Sequence, residues 1–315
     1  MDAAGGESRT AALTERSLVA VPCRGWFTMD VMETYRDLVI RLLPDDQQDG
    51  LLTFQGQFHR VVVGSERVVC FARTEAAAGR LPARAAALRS LVGLGLGFRT
   101  PRPLALGGGP GTDEPAYLVL SRIPGAPLDA AALEDPEVAD AVAEQYAGLL
   151  SGLVAAGGDE KARAALPVAP HRRWQEFAAD VRAELFPLMS DSGRKRAARE
   201  LAALDGLPPL TSAVVHGDLG GENVLWELSD DGPRLSGVID WDGVALGDHA
   251  EDLAAVQAAY GEELLGRVLT LGGWDDASTS GRISAIRNTF ALQQALSARR
   301  DGDEEELADG LTGYR

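Results

Sequence analysis

Three polar side chains at fixed spacing carry the chemistry. Asp218 stands five residues before Asn223 in Val215-His-Gly-Asp-Leu-Gly-Gly-Glu-Asn-Val-Leu225. Asp240 follows seventeen residues after Asn223, in Gly237-Val-Ile-Asp-Trp241. Both polar runs are flanked by apolar stretches and read as loops at strand ends. This set suits transfer of a phosphoryl group to a hydroxyl. The moving group spreads negative charge over its oxygens, so a divalent cation must bridge the phosphates. Mg²⁺ takes hard oxygen ligands and keeps several waters, so one carboxylate and one amide oxygen suffice. Asn223 and Asp240 are the candidates, with ATP and Mg²⁺ as the cofactors. A separate carboxylate, Asp218, would orient the hydroxyl and accept its proton. His216 is expected to be a scaffold that bonds backbone near Asp240.

Other readings compete. Taken alone, His216-Gly-Asp218 fits a turn in which Asp218 caps and His216 packs. A zinc set of His216, Asp218 and His249 fits less well, because no Cys or His at i,i+4 spacing completes a tetrahedral site. The two segments in this order, ahead of a helix opened by Gly247-Asp248, favour phosphoryl transfer. Asp248 is expected to cap that helix and be structural. Asp242, Glu251 and Asp252 are candidates for the acceptor side, and each also fits a solvated face.

The elements that must position these groups follow from periodicity. Apolar residues recur at helical spacing from Val31 to Leu43, and Pro44 closes the run. Val61–Val63 and Val68–Phe71, joined by Gly64-Ser-Glu-Arg67, predict an antiparallel hairpin. A helix is expected over about 74–91 and a short strand over Tyr117–Leu120. After a junction at 121–125, long helices are expected over 134–154 and 174–204. Strand-like runs at 212–226 and 235–241 flank the polar loops, and helix dominates from Asp248 onward. The expected class is α+β and bilobal. A small antiparallel sheet with one main helix occupies 29–121, and a larger, mainly helical lobe occupies 122–315. Residues 1–28 are expected to be a disordered extension ahead of Met29.

The bulk numbers narrow the partners. The chain has 315 residues and a net charge of -17. Such a surface repels nucleic acid and attracts cations. No run approaches the ~18 apolar residues of a membrane span. The N-terminus lacks the order of a signal peptide. Two cysteines imply no disulfide framework. The expectation is a cytoplasmic protein with a small-molecule partner and no obligatory protein partner.

The segments HGDLGGENVLW and VIDWDGVALGDHAEDLA resemble the aminoglycoside phosphotransferase family, antibiotic kinases of protein-kinase-like fold. The resemblance covers nearly all of the chain from Met29. It implies a nucleotide site in the small lobe, with Gly56 in the turn over the phosphates. The linker after Leu120, with Ser121 and Ile123, would bond adenine through its backbone. It also implies a basic residue on the second hairpin strand and an acid on the next helix. Here Cys70 and Arg84 occupy those positions. Arg84 is therefore expected to supply the phosphate-binding charge itself, without a partner acid. Further text, including GQFHRVVVGSERVVCFART and YLVLSRIPGAPL, is similar to a subgroup that phosphorylates tuberactinomycins, the cationic cyclic peptides of the viomycin and capreomycin type. Rival readings are the same kinase acting on an aminoglycoside, a macrolide or a choline-like metabolite, and a drug-binding module without catalysis. A protein kinase is disfavoured, since no activation segment ending in Ala-Pro-Glu follows Asp240.

Overall fold

The computed structural model describes residues 31–56 and 58–315. The expected extension over 1–28 lies outside the described residues. Helix α1 (Val31–Leu42) opens the small lobe. Strands β1 (Leu52–Gln55), β2 (His59–Val63), β3 (Arg67–Ala72), β4 (Pro103–Gly107) and β5 (Tyr117–Ser121) follow, with helix α2 (Glu75–Gly93) between β3 and β4. They form an antiparallel sheet in the order β1-β2-β3-β5-β4.

Strand alternation sends side chains to both faces. Val62, Val69, Phe71 and Val119 bury against Leu38 and Val39 of α1 and Leu43 just after it. Cys70, Leu118 and Leu120 face the other way, into the core that holds Leu81, Ala85, Leu88 and Leu91 of α2. The Thr74 hydroxyl accepts from the Ala77 N–H at 3.1 Å and caps the start of α2.

The larger lobe begins with β6 (Ala126–Pro127) and the buried helix α3 (Pro136–Gly157). Helices α4 (Glu160–Ala165), α5 (Arg173–Glu184) and α6 (Asp191–Asp205) come next. The single helix expected over 174–204 is thus two helices. Pro187 cannot donate to a continuing ladder, and Ser190 starts α6 afresh by accepting from the Gly193 N–H. Strands β7 (Ala213–Val215), β8 (Val224–Ser229), β9 (Gly232–Val238) and β10 (Ala245–Gly247) frame the polar loops. Helices α7 (Ala250–Gly272), α8 (Ala277–Arg287), α9 (Phe290–Asp301) and α10 (Glu304–Gly310) complete the chain. The architecture is bilobal α+β, as the residue pattern predicts. Among the described residues no helix is long and apolar enough to cross a membrane.

Two pairings position the site. β7 pairs with β10, and β8 pairs with β9, all antiparallel. The loop after β7 and the loop after β9 are therefore held side by side.

Candidate active site

The β7–β8 loop carries His216, Asp218 and Asn223, and the β9–β10 loop carries Asp240 and Asp242. His216 ties them together. Its Nε2–H donates to the Ile239 carbonyl at 2.8 Å, and its Nδ1 accepts from the Asp218 N–H at 3.2 Å. Only the neutral ring with its proton on Nε2 makes both bonds. Burial agrees, holding the imidazole down to about 4. The indole of Trp241 packs on the ring, with centroids 4.6 Å apart. The Ile239 N–H donates in turn to the Asn223 carbonyl at 2.9 Å. His216 thus bonds backbone on both loops.

Gly217 lets the two loops touch. Its φ is +85°, and a Cβ there would stand 2.8 Å from the Gly243 carbonyl oxygen. A side chain at this position would meet both strain and a clash.

Asn223 Nδ2 donates to the Asp218 carbonyl at 2.9 Å and to Asp218 Oδ2 at 3.3 Å. That fixes the amide orientation and leaves Oδ1 with no donor among the described residues. Burial raises the Asp218 carboxyl above its ordinary value, and the charge of Glu222 adds to the rise. Asp240 has φ +60°, the one non-glycine residue with positive φ among those described. Asp tolerates this conformation better than most residues, but it still costs free energy at a point where the carboxylate must be aimed.

Beneath the β7–β8 loop lies Asp252, 1% exposed. Its Oδ2 accepts from the His216 N–H at 2.9 Å and its Oδ1 from the Gly217 N–H at 3.1 Å. The expectation of an acceptor-facing Asp252 is thereby corrected: both oxygens are spent on the loop. Glu251 pairs with Arg173 through Oε1, which also accepts from the Asp248 N–H. Asp248, expected to cap the helix, is buried. Its Oδ1 accepts from the Ala250 N–H and its Oδ2 from Arg282 Nε at 2.6 Å, a buried pair. Arg282 left no trace in the sequence, because nothing local marks a basic residue in α8 as buried.

Asp242 does not stand free for an acceptor either. Its Oδ1 forms an ion pair with Arg84 Nε across the cleft between lobes. Arg84 Nη2 lies 3.6 Å from Asp240 Oδ1. So Arg84 does have a partner acid, supplied by the other lobe rather than by its own. Cys70 is a buried, free thiol. Burial pushes it up, while the nearby Arg84 opposes that. His59 completes the group, with Nδ1 at 3.4 Å from Arg84 Nη1. Burial, aided by the Arg84 charge, holds its imidazole down to about 4. Nothing local to His59 in the sequence marks it as a member of this group.

At the junction, the Ser121 N–H donates to the Arg102 carbonyl, and Ser121 Oγ accepts from the Arg102 N–H, both at 2.9 Å. The Ile123 N–H and carbonyl make no backbone bond among the described residues. Gly56 sits in the β1–β2 turn, where its N–H donates to the His59 carbonyl at 2.9 Å. A Cβ at Gly56 would meet that oxygen at an ordinary 3.6 Å, so the turn does not require glycine on steric grounds. No three His, Cys, Asp or Glu side chains among the described residues gather as a metal-binding group.

The model of the phosphotransferase enzyme family, APH, matches residues 53–280. Over 287 residues the chain is 72% identical to viomycin phosphotransferase of Streptomyces vinaceus, a match covering 91% of this chain and 100% of that one. The GDP and kanamycin complex of APH(2")-IIia superposes with a TM-score of 0.77 at 21% identity, covering 89% and 96% of the two chains. Macrolide 2'-phosphotransferase type I superposes at 0.67 with 22% identity, covering 92% and 99%. At such identities the two structures speak to the fold alone.

Proposed function

The chain belongs to the phosphotransferase enzyme family, and on that premise we propose that it transfers the γ-phosphoryl group of ATP to a hydroxyl of a cationic cyclic peptide antibiotic of the viomycin and capreomycin type. The observation that carries the transfer is the joining of Asp218, Asn223 and Asp240 on two interlocked loops. The acceptor class rests on the 72% identity to viomycin phosphotransferase.

The donor set fits a Mg²⁺ nucleotide. Asn223 Oδ1 and the Asp240 carboxylate, 53% exposed, are hard oxygens of the kind that share the metal with water. The free backbone polar groups of Ile123, with the carbonyl of Ser121, suit an adenine edge. When bound, Mg·ATP supplies the phosphoryl group and neutralises its charge. Asp218 orients the acceptor hydroxyl and takes its proton at the carboxylate. Its raised value keeps it basic enough to do so. Arg84 lends positive charge to the phosphates, Cys70 lines the floor beside it, and the Gly56 turn closes over them. His216 and Asp252 hold the loop; Asp248 holds the helix below. Residues 29–121 form the nucleotide lobe and 122–315 the catalytic and acceptor lobe. The net charge of -17 draws in a cationic drug and repels nucleic acid. A cytoplasmic location fits the free thiol of Cys70.

The test is mass spectrometry of viomycin and capreomycin after incubation with protein, Mg²⁺ and ATP, beside kanamycin and a macrolide. One added phosphoryl group on the cyclic peptides alone is expected. Phosphate on a control drug instead would keep the kinase and discard this acceptor. For Arg84→Ala, the KM for ATP is expected to rise about tenfold or more while the KM for the drug holds. An unchanged KM for ATP would reduce Arg84 to an interlobe ion pair.

A further inference from the structure

His59 opens β2, directly after the turn that contains Gly56. Strand alternation puts it on the same face as Val61, whose register partner is Cys70, so it looks toward α2 and the cleft. The residue is 9% exposed. Its Nδ1 lies 3.4 Å from Arg84 Nη1 and 3.7 Å from Asp242 Oδ2.

Those contacts fix the proton. A guanidinium can only donate, so Nδ1 must offer its lone pair to Arg84. The carboxylate at 3.7 Å is beyond hydrogen-bond reach and does not compete for an Nδ1 proton. In the neutral ring the hydrogen therefore sits on Nε2. Nε2 is buried, and no atom of the described residues bonds it. An unpaired buried donor is destabilising, and an aromatic or aliphatic side chain of similar size would avoid it. The ring is held by Arg84, which is itself held by Asp242. So the small lobe brings a cation, held at Nδ1, and a ring whose buried Nε2–H has no acceptor, while Asp240 and Asp242 belong to the large lobe. An oxyanion that displaces what covers Nε2 satisfies the orphaned donor close to the Arg84 charge.

We infer that His59 is a nucleotide-binding residue whose Nε2–H donates to a phosphate oxygen, with Arg84 and Asp242 as the residues that orient it. This rests on the nucleotide site proposed above. The Asp242 carboxylate, which the sequence offered to the acceptor, is then a positioning residue for the phosphate cradle.

The experiment is calorimetric titration of the full chain with Mg·ATP, Mg·GTP and adenosine, for wild type, His59→Gln, His59→Asn and His59→Phe. Glutamine carries an amide N–H near the Nε2 position. Asparagine reaches only the Nδ1 position, and phenylalanine keeps the ring without a donor. The wild type and His59→Gln are expected to bind the better triphosphate alike. His59→Asn and His59→Phe are expected to bind it about ten- to a hundredfold more weakly. Adenosine, which lacks phosphates, is expected to bind all four equally. Without ligand, His59→Phe is expected to melt no lower than wild type, because the unpaired donor is gone. Equal triphosphate affinity across the four would overturn the assignment, as would a matching loss of adenosine. A wild type that binds neither triphosphate would overturn the nucleotide site itself, and this assignment with it.

Discussion

Asp218→Asn is expected to cut turnover by roughly a thousandfold while Mg·ATP binding and the fold persist. Asparagine keeps the size of the side chain and can still accept from Asn223 Nδ2, so the loop has no reason to move. What it cannot do is take a proton. The loss should therefore appear in kcat, with little change in either KM. The wild type adds a second signature. Burial and the Glu222 charge raise the Asp218 carboxyl, so its ionised form is lost at less acid pH than for a free side chain. Activity should fall as pH drops through that raised value, because the protonated acid is no longer a base. Steady-state kinetics across pH, with nucleotide binding measured in parallel, decide the matter. Near wild-type turnover in Asp218→Asn, or in Asp218→Ala, would remove the proposed base.

Asp218, Asn223 and Asp240 stand out in the sequence for a local reason. They lie on two short loops whose flanking strands are strongly apolar, so type, spacing and context all sit within a few residues. The hairpin of β2 and β3 was legible for the same reason. The roles of Asp242, Glu251 and Asp252 were not, because each is decided by a partner from a distant segment. Arg84 and Asp242 meet across the cleft, and Asp252 meets a loop that lies 36 residues earlier in the chain. An acidic residue in the first turn of a helix looks the same whether it faces solvent or two buried N–H groups. His59 escaped notice because a histidine in a strand has no signal of its own until its neighbours are known. The break between α5 and α6 shows a milder limit. Helical periodicity continues on both sides of Pro187, and the proline alone decides between a kink and an end.

Asp252→Ala should be the most damaging change outside the residues that touch ligand. It leaves the His216 and Gly217 N–H groups buried without acceptors, and each such loss costs about 1–3 kcal/mol. Those two residues lead directly into Asp218, so a small shift of the loop displaces the base, and a misplacement of ~1 Å can cost about a hundredfold in rate. Stability and kcat should fall together, while adenosine still binds. Asp252→Asn separates the causes. It keeps one acceptor but turns an amide N–H toward the other backbone donor, so its damage should be intermediate. The pH dependence has a definite sign. Burial pushes the Asp252 carboxyl up to about 7, against the pull of its two N–H bonds. The folded state therefore holds the proton more tightly than the unfolded chain does. The stability this contributes is present below the ordinary carboxylate value and is lost as pH rises through about 7. Asp252→Asn has no such group. The stability gap between wild type and Asp252→Asn should thus narrow between about pH 4 and about pH 7, as read by denaturant unfolding. A gap that widens over this range would mean that the two backbone donors outweigh burial and that Asp252 works as a fully ionised anchor.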